Sequence, residues 1–257
     1  MSISKIILLQ VGRAQKNNYS VILKDNSILN FLPNLNQRQL LIFDSIRSTC
    51  RMLDYSYDNL NEELIKHSDD GNKKCLENIF SNAWNIIDQT HRFVLLYKTL
   101  YQKNKPRELK LPILEKIEIV KPARDTIQHL FERIDQSLLK NKMSFYGILK
   151  WVYSDPVSKK AFNIIAISGI FYSENHTFKV GKYDSSNLIT NIILETINRE
   201  GERIEINLSD LIVEIKVCIQ KIELSLNEQS KEKSLQVLDW KSMRDIILKF
   251  KPEEKKN

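Results

Sequence analysis

At 257 residues, with 42% hydrophobic side chains, the chain can bury a sizeable core, and this composition excludes a globally disordered protein. Only 6 glycines and 6 prolines argue against a sandwich of many short strands, which needs frequent turns. The formal net charge of +7, from 39 basic and 32 acidic residues, is compatible with a polyanionic partner, although a Lys-, Asn- and Ile-rich composition gives the same balance without one.

In chain order, residues 1–32 are strand-like in "IILLQVG" and "YSVILKDNSI", and are expected to add to a sheet formed later in the chain. The first helix carries Phe43, Ile46, Cys50, Leu53, Tyr57, Leu60 and Leu64 on one stripe with alternating steps of three and four. Pro33 precedes it and the turn "DDGN" (69–72) ends it. The second helix repeats the pattern through Leu76, Phe80, Ala83, Ile87, Thr90, Val94, Tyr97 and Tyr101, so the two predict an antiparallel hairpin. Residues 102–122 hold three prolines and no sustained period, and read as a connection. A third helix is expected from Pro122, a favoured first helical residue, with Ala123, Ile127, Leu130, Phe131, Ile134 and Leu138 inward.

From 144 to 181 the texture turns β-branched and aromatic in "SFYGILKWVYSD", "KAFNIIAISGIFYS" and "HTFKVG", which predicts a small antiparallel sheet. "SNLITNIILETINREGERIEIN" reads as a short helix and a strand. A fourth helix is expected from Ser209 as N-cap, striped by Leu211, Ile215, Cys218, Ile222 and Leu226. "DWKSMRDIILKF" (239–250) suggests a last short helix, and "KPEEKKN" a disordered tail. The whole predicts a single α+β domain over 1–257. Its helical core spans about 36–140 and 207–229, with a β insertion at about 144–205, an N-terminal strand-like segment at 1–32 and a C-terminal helix and tail at 230–257.

Cys50, Cys75 and Cys218 are odd in number and widely spaced, which fits a reducing compartment better than a disulfide framework. No secretory leader and no membrane span is recognisable, so a cytoplasmic protein is expected. The four histidines (67, 91, 129, 176) and three cysteines show no metal-ligand spacing, and no metal or cofactor is expected. There is no phosphate-cradling Gly-rich loop and no serine nucleophile elbow. Trp84, Trp151, Trp240, Phe145, Tyr146 and Tyr153 could stack bases, but are expected instead to fill the helix–sheet interface.

The stretch "KPARDTIQHLFERID" (121–135) carries the chemistry. On a wheel of about 100° per residue, His129 points about 150° from the apolar stripe and Arg124 flanks the stripe at roughly 65°. Arg124 would sit in the first helical turn, where free backbone N–H groups suit an anion; the plain alternative is a surface Arg paired with Asp125 or Glu118. From Lys98 to Arg124, eight basic residues face three acidic ones, and Lys103, Lys105, Arg107, Lys110 and Lys121 form a basic approach suited to a nucleic-acid backbone. Residues i and i+5 do not converge on one atom, so a composite site across a two-fold axis is expected. On the preceding helix, Asp88 and Arg92 make an i, i+4 pair and His91, beside the stripe, is expected to pack.

These residues resemble the HEPN superfamily of helical ribonucleases and nucleotide-binding proteins. Its hallmark is an Arg, a polar residue, and a His several residues on, at the start of a late helix of a four- to five-helix bundle; here these are Arg124, Asp125 and His129. "DQTHRFVLLYKTL" (88–100) is also similar to bacterial HEPN-like proteins. The resemblance covers roughly 36–140 and 207–229 and implies metal-independent RNA cleavage, with the ribose 2′-OH attacking the adjacent phosphate to leave a 2′,3′-cyclic phosphate and a 5′-OH. It implies His129 as general base or acid, Arg124 as the clamp on the phosphorane charge, and Asp125 as the residue orienting either. The expected protein is therefore a homodimeric endoribonuclease acting on RNA, of toxin or host-defence kind, with an antitoxin-like protein partner possible. The β insertion and strand-like N-terminus depart from the minimal pattern. A second reading therefore stands beside the first: a catalytically silent HEPN-like module that binds RNA, a nucleotide or a protein partner.

Overall fold

The computed structural model describes residues 21–70, 76–129, 132, 144, 146–169 and 187–232. Its longest element, α1 (Gln37–Asp70), is opened by a reciprocal cap: the Asn36 side chain accepts from the Gln39 backbone N–H at 3.0 Å, and the Gln39 side chain accepts from that of Asn36 at 3.4 Å. The stripe expected from the sequence is its inner face, with Ile46, Cys50, Leu53, Leu60 and Leu64 fully buried. α2 (Leu76–Tyr101) lies along α1 and presents Phe80, Ala83, Ile87, Val94 and Tyr97 to it, which makes the predicted hairpin. α3 (Val120–Gln128) is short and packs on α2, and α4 (Leu208–Glu232) closes the helical layer with Leu211, Ile215, Cys218, Ile222 and Leu226 inward.

The sheet is four-stranded and antiparallel throughout, in the order β2 (Ala161–Ile167), β1 (Ile148–Ser154), β3 (Ile189–Ile197), β4 (Arg203–Asn207). Every residue of β1 is buried: the long helices cover one face, and on the other a polar cluster sits beside Ile148 and Ile197, against which Ile127 of α3 packs. On the helical face Leu149, Trp151 and Tyr153 join the main core; Trp151 Nε1 donates to Ser68 Oγ at 3.0 Å and the Tyr153 hydroxyl donates to Asp69, tying β1 to the end of α1. Opposite, Lys150 lies between Glu195 and Glu205, 2.8 Å from the latter. Burial disfavours its ammonium, but the hydrogen bonds to both carboxylates outweigh that and hold its pKa above the ordinary value. Trp151 and Tyr153 are thus core residues. Trp84, half-buried, donates its indole N–H to the Tyr146 carbonyl at 3.0 Å.

Four expectations are corrected. Residues 189–197 form strand β3 rather than a helix: Ile189, Ile192, Leu194 and Ile197 are buried, and the β1 ladder runs alongside. A register shift opposite Lys150 and Val152, with Asn191 at φ 50°, gives this stretch its irregular look in sequence. The described part of the N-terminal segment, from residue 21, forms no strand; it holds a 3-10 turn at Ile28–Asn30, and Leu29 and Leu32 plug the core beside α1 and α4. α4 starts at Leu208, capped by the Asn207 side chain, which accepts from the Asp210 N–H at 3.2 Å. The Ser209 hydroxyl instead accepts from the Ile192 N–H and the Tyr57 hydroxyl, each at 3.2 Å. Finally, α3 begins at Val120, two residues before Pro122, because residues 115–119 already turn and offer it carbonyls. "HTFKVG", Cys75, Phe145, Trp240 and the segments 1–20, 133–143 and 233–257 lie outside the described residues. Among the described residues no helix is long and apolar enough to cross a membrane.

Candidate functional site around Arg124

α2 and α3 meet through one carboxylate. Asp88, on α2, accepts a hydrogen bond from Arg124 Nε at 2.9 Å on one oxygen, and its other oxygen is 2.8 Å from Arg92 Nε. The i, i+4 pair read from sequence is there, but the same group reaches across to the next helix. Arg124 therefore pairs with neither Asp125 nor Glu118. With Nε committed to Asp88, its remaining guanidinium donors have no partner among the described residues.

Arg124 sits in the second turn of α3 rather than the first. The amides at the helix start are occupied, since Lys121 N–H donates to the Glu118 carbonyl at 3.0 Å and Val120 N–H to that of Ile117 at 3.4 Å. Any anion here is held by side chains, not by a bare helix end. Those side chains line a pocket of about 180 Å³ between α2, α3 and the 102–119 connection: His91, Lys98, Arg107, Lys121, Arg124 and Asp125. Glu118 is also on its wall, 2.6 Å from Lys98 Nζ in an ion pair that lacks hydrogen-bond geometry.

His91 is 93% buried on this wall, at 7% exposure, and neither ring nitrogen has a hydrogen-bond partner among the described residues. Burial pushes its pKa below the ordinary value; the Arg124 cation adds to this, and Asp125 and Asp88 oppose it. A neutral imidazole beside an arginine with free donors can donate its ring N–H to an incoming oxyanion, and on taking up a proton can donate from both nitrogens. The sequence reading expected His91 only to pack. Asp88, His91, Leu95 and Lys98 step by three, four and three along α2 and form a second, polar stripe beside the apolar one, which was the available signal.

His129 is the C-terminal cap of α3, exposed, with Nδ1 at 3.4 Å from a Glu132 carboxylate oxygen. It opens on a second concavity, of about 530 Å³, lined with Lys121, Pro122, Asp125, Arg199 and Glu200. Arg124 and His129 thus do not meet within the chain. Asp125 and Lys121 line both hollows and connect them.

The basic approach divides. Arg107 and Lys121 reach the Arg124 pocket, whereas Lys103 lines a separate groove between the ends of α1, α2 and α4. Lys105 is 3.4 Å from Glu108, Lys116 is paired with Glu214, and Lys110 is exposed. The local excess read from sequence is therefore diluted by Asp88 and Glu214, which come from other elements. Lys105 has φ 54° directly before a proline, a strained backbone at the turn that delivers Arg107. Among the described residues no cluster of three or more His, Cys, Asp or Glu side chains converges as metal ligands would. No protein-family model, no curated protein and no solved structure matches the chain.

Proposed function

We propose that this chain is a metal-independent endoribonuclease of HEPN type, working as a homodimer on RNA, with Arg124 as the phosphate clamp and His129 as the proton-transfer group. One observation carries the reading. Arg124 is fixed in direction by Asp88 while its other donors stay open, and exposed His129 ends the same short helix, one connected hollow away. Arginine presents a planar fork that suits the equatorial oxygens of a phosphorane. The five-residue spacing, about 7.5 Å of helix rise, leaves a single protomer with the two groups apart. A two-fold partner would supply the His129 that faces each Arg124. At the composite site the ribose 2′-OH gives its proton to the His129 imidazole of one protomer, its oxygen attacks the adjacent phosphorus, and the 5′-oxygen leaves with a proton from the His129 imidazole of the other.

The test is cleavage of single-stranded RNA in EDTA by the full chain. Expected are 2′,3′-cyclic ends, loss of cleavage in Arg124→Ala and in His129→Ala, and retained folding by circular dichroism, since neither side chain is in the core. Equal cleavage by His129→Ala, or a strictly monomeric active protein in light scattering, removes the reading. A module that binds RNA without cutting it is the reading left if pure dimer binds RNA and releases no cyclic ends. It is favoured by the placement of His91, rather than His129, beside Arg124.

A further inference from the structure

We infer that the His91–Arg124 pocket is a binding site for a phosphate monoester, the doubly charged end of a phosphorylated chain or a free phosphate, distinct in kind from a passing diester. This rests on the ribonuclease reading only for the identity of the molecule that carries the phosphate; the pocket itself is argued from its own walls.

Size comes first. About 180 Å³ is room for roughly six waters at about 30 Å³ each. That is below the roughly 300 Å³ at which small-molecule sites begin, so a phosphoryl group fits and a whole nucleotide does not. The neighbouring hollow of about 530 Å³, reached past Lys121 and Asp125, takes the sugar that follows. Charge comes second. Four cationic side chains on the wall, Lys98, Arg107, Lys121 and Arg124, face two carboxylates, Glu118 and Asp125, an excess of two positive charges. Asp88, behind Arg124, takes one back. A proton on His91 restores it, and the pocket then matches a dianion rather than the single charge of a diester.

The third observation is the imidazole. His91 is only 7% exposed, it lines the hollow, and its ring nitrogens have no hydrogen-bond partner among the described residues, so the polar atoms it offers are open to whatever fills the hollow. An oxyanion seated against Arg124 would supply that partner. Lys98 and Arg124 are already oriented by Glu118 and Asp88, while Arg107 and Lys121 carry no ion pair among the described residues and are available to the ligand. The groups that face His91 from the packed elements are Asp88 on its own helix, Arg124 and Asp125 on α3, and Arg107 on the connection.

Sulfate is the first probe, because its charge does not change between about pH 5.5 and 8 and any pH dependence belongs to the protein. In calorimetry on the full chain, sulfate should bind, and bind more tightly as pH falls, taking up a proton. Arg107→Gln, a change at an exposed residue, should weaken it at least tenfold, and His91→Gln should abolish the pH dependence while thermal melting shows the fold intact. Competition then separates the sources. Displacement of sulfate by 5′- or 3′-phosphorylated oligoribonucleotide, but not by the unphosphorylated one, assigns the pocket to a chain end; displacement by inorganic phosphate alone assigns it to a free phosphate. Both support the site. Absence of sulfate binding, equal binding by Arg107→Gln, or equal competition by phosphorylated and unphosphorylated RNA overturns it. Wild type that binds sulfate but cleaves no RNA loses the nuclease reading and keeps the pocket; cleavage without sulfate binding does the reverse.

Discussion

Replacing Asp88 by Asn removes one negative charge and keeps the side-chain shape, which makes it the cleanest perturbation of the α2–α3 joint. Two contacts are affected. The one to Arg92 is an i, i+4 helix pair whose arginine is 57% exposed, and such pairs contribute about 0.3–0.5 kcal/mol. The hydrogen bond to Arg124, with both side chains about three-quarters buried (23% and 28% exposed), lies between the surface value of about 0–1 kcal/mol and the several kcal/mol of a fully buried pair. Taking about 1–1.5 kcal/mol for it, the substitution should cost about 1.5–2 kcal/mol. At about 2–4 °C per kcal/mol for a domain of this size, the midpoint should fall by about 3–8 °C. A double-mutant cycle with Arg124→Gln, read by thermal melts followed by circular dichroism, should return a coupling of about 1 kcal/mol, whereas Arg92→Gln alone should cost about 0.5 kcal/mol or less. A coupling near zero, or an Asp88→Asn midpoint within about 1 °C of wild type, would mean that Asp88 does not hold α3 to α2.

Gly147 adopts φ +86°, and an added Cβ would lie 2.4 Å from the Glu195 carbonyl oxygen, so Gly147→Ala should destabilise by about 2–4 kcal/mol in the same melts. His91 is held below its ordinary pKa of 6.5, so its contribution to stability is full above that value and is lost as pH falls, because the unfolded chain takes the proton first. Urea titrations at about pH 7 and 5 should therefore show a smaller loss for His91→Gln than for wild type, and an unchanged loss would place the titration elsewhere. In RNA binding followed by fluorescence anisotropy, Arg107→Glu and Lys121→Glu should each lower the salt slope by about one, while Lys116→Ala, already paired with Glu214, should change it less.

The sequence by itself determined the helical hairpin and α4, because an amphipathic stripe depends only on periodicity along one element: Phe80, Ala83, Ile87 and Val94 must face a core wherever that core lies. It determined that β-branched and aromatic residues near 148–167 pair as strands, but it put Arg124 and His129 on one helix running to Leu138, whereas α3 ends at Gln128 with His129 as its cap. What lay beyond it were partnerships between elements. "SNLITNIILETIN" has apolar spacing compatible with helix or strand, and only the free edge of β1 decides for strand. Leu29 and Leu32 look like strand residues until α1 and α4 offer them a core to fill. The Arg124 site is the strongest case. Asp88 forms a correct local pair with Arg92, but its second oxygen belongs to a residue 36 positions away, and the pocket that gives His91 its chemistry exists only because α3 and the 102–119 connection fold over α2. Local periodicity fixes which face of a helix is polar; packing alone fixes which polar groups meet there, because burial and charge partners are set by neighbours the local chain does not contain.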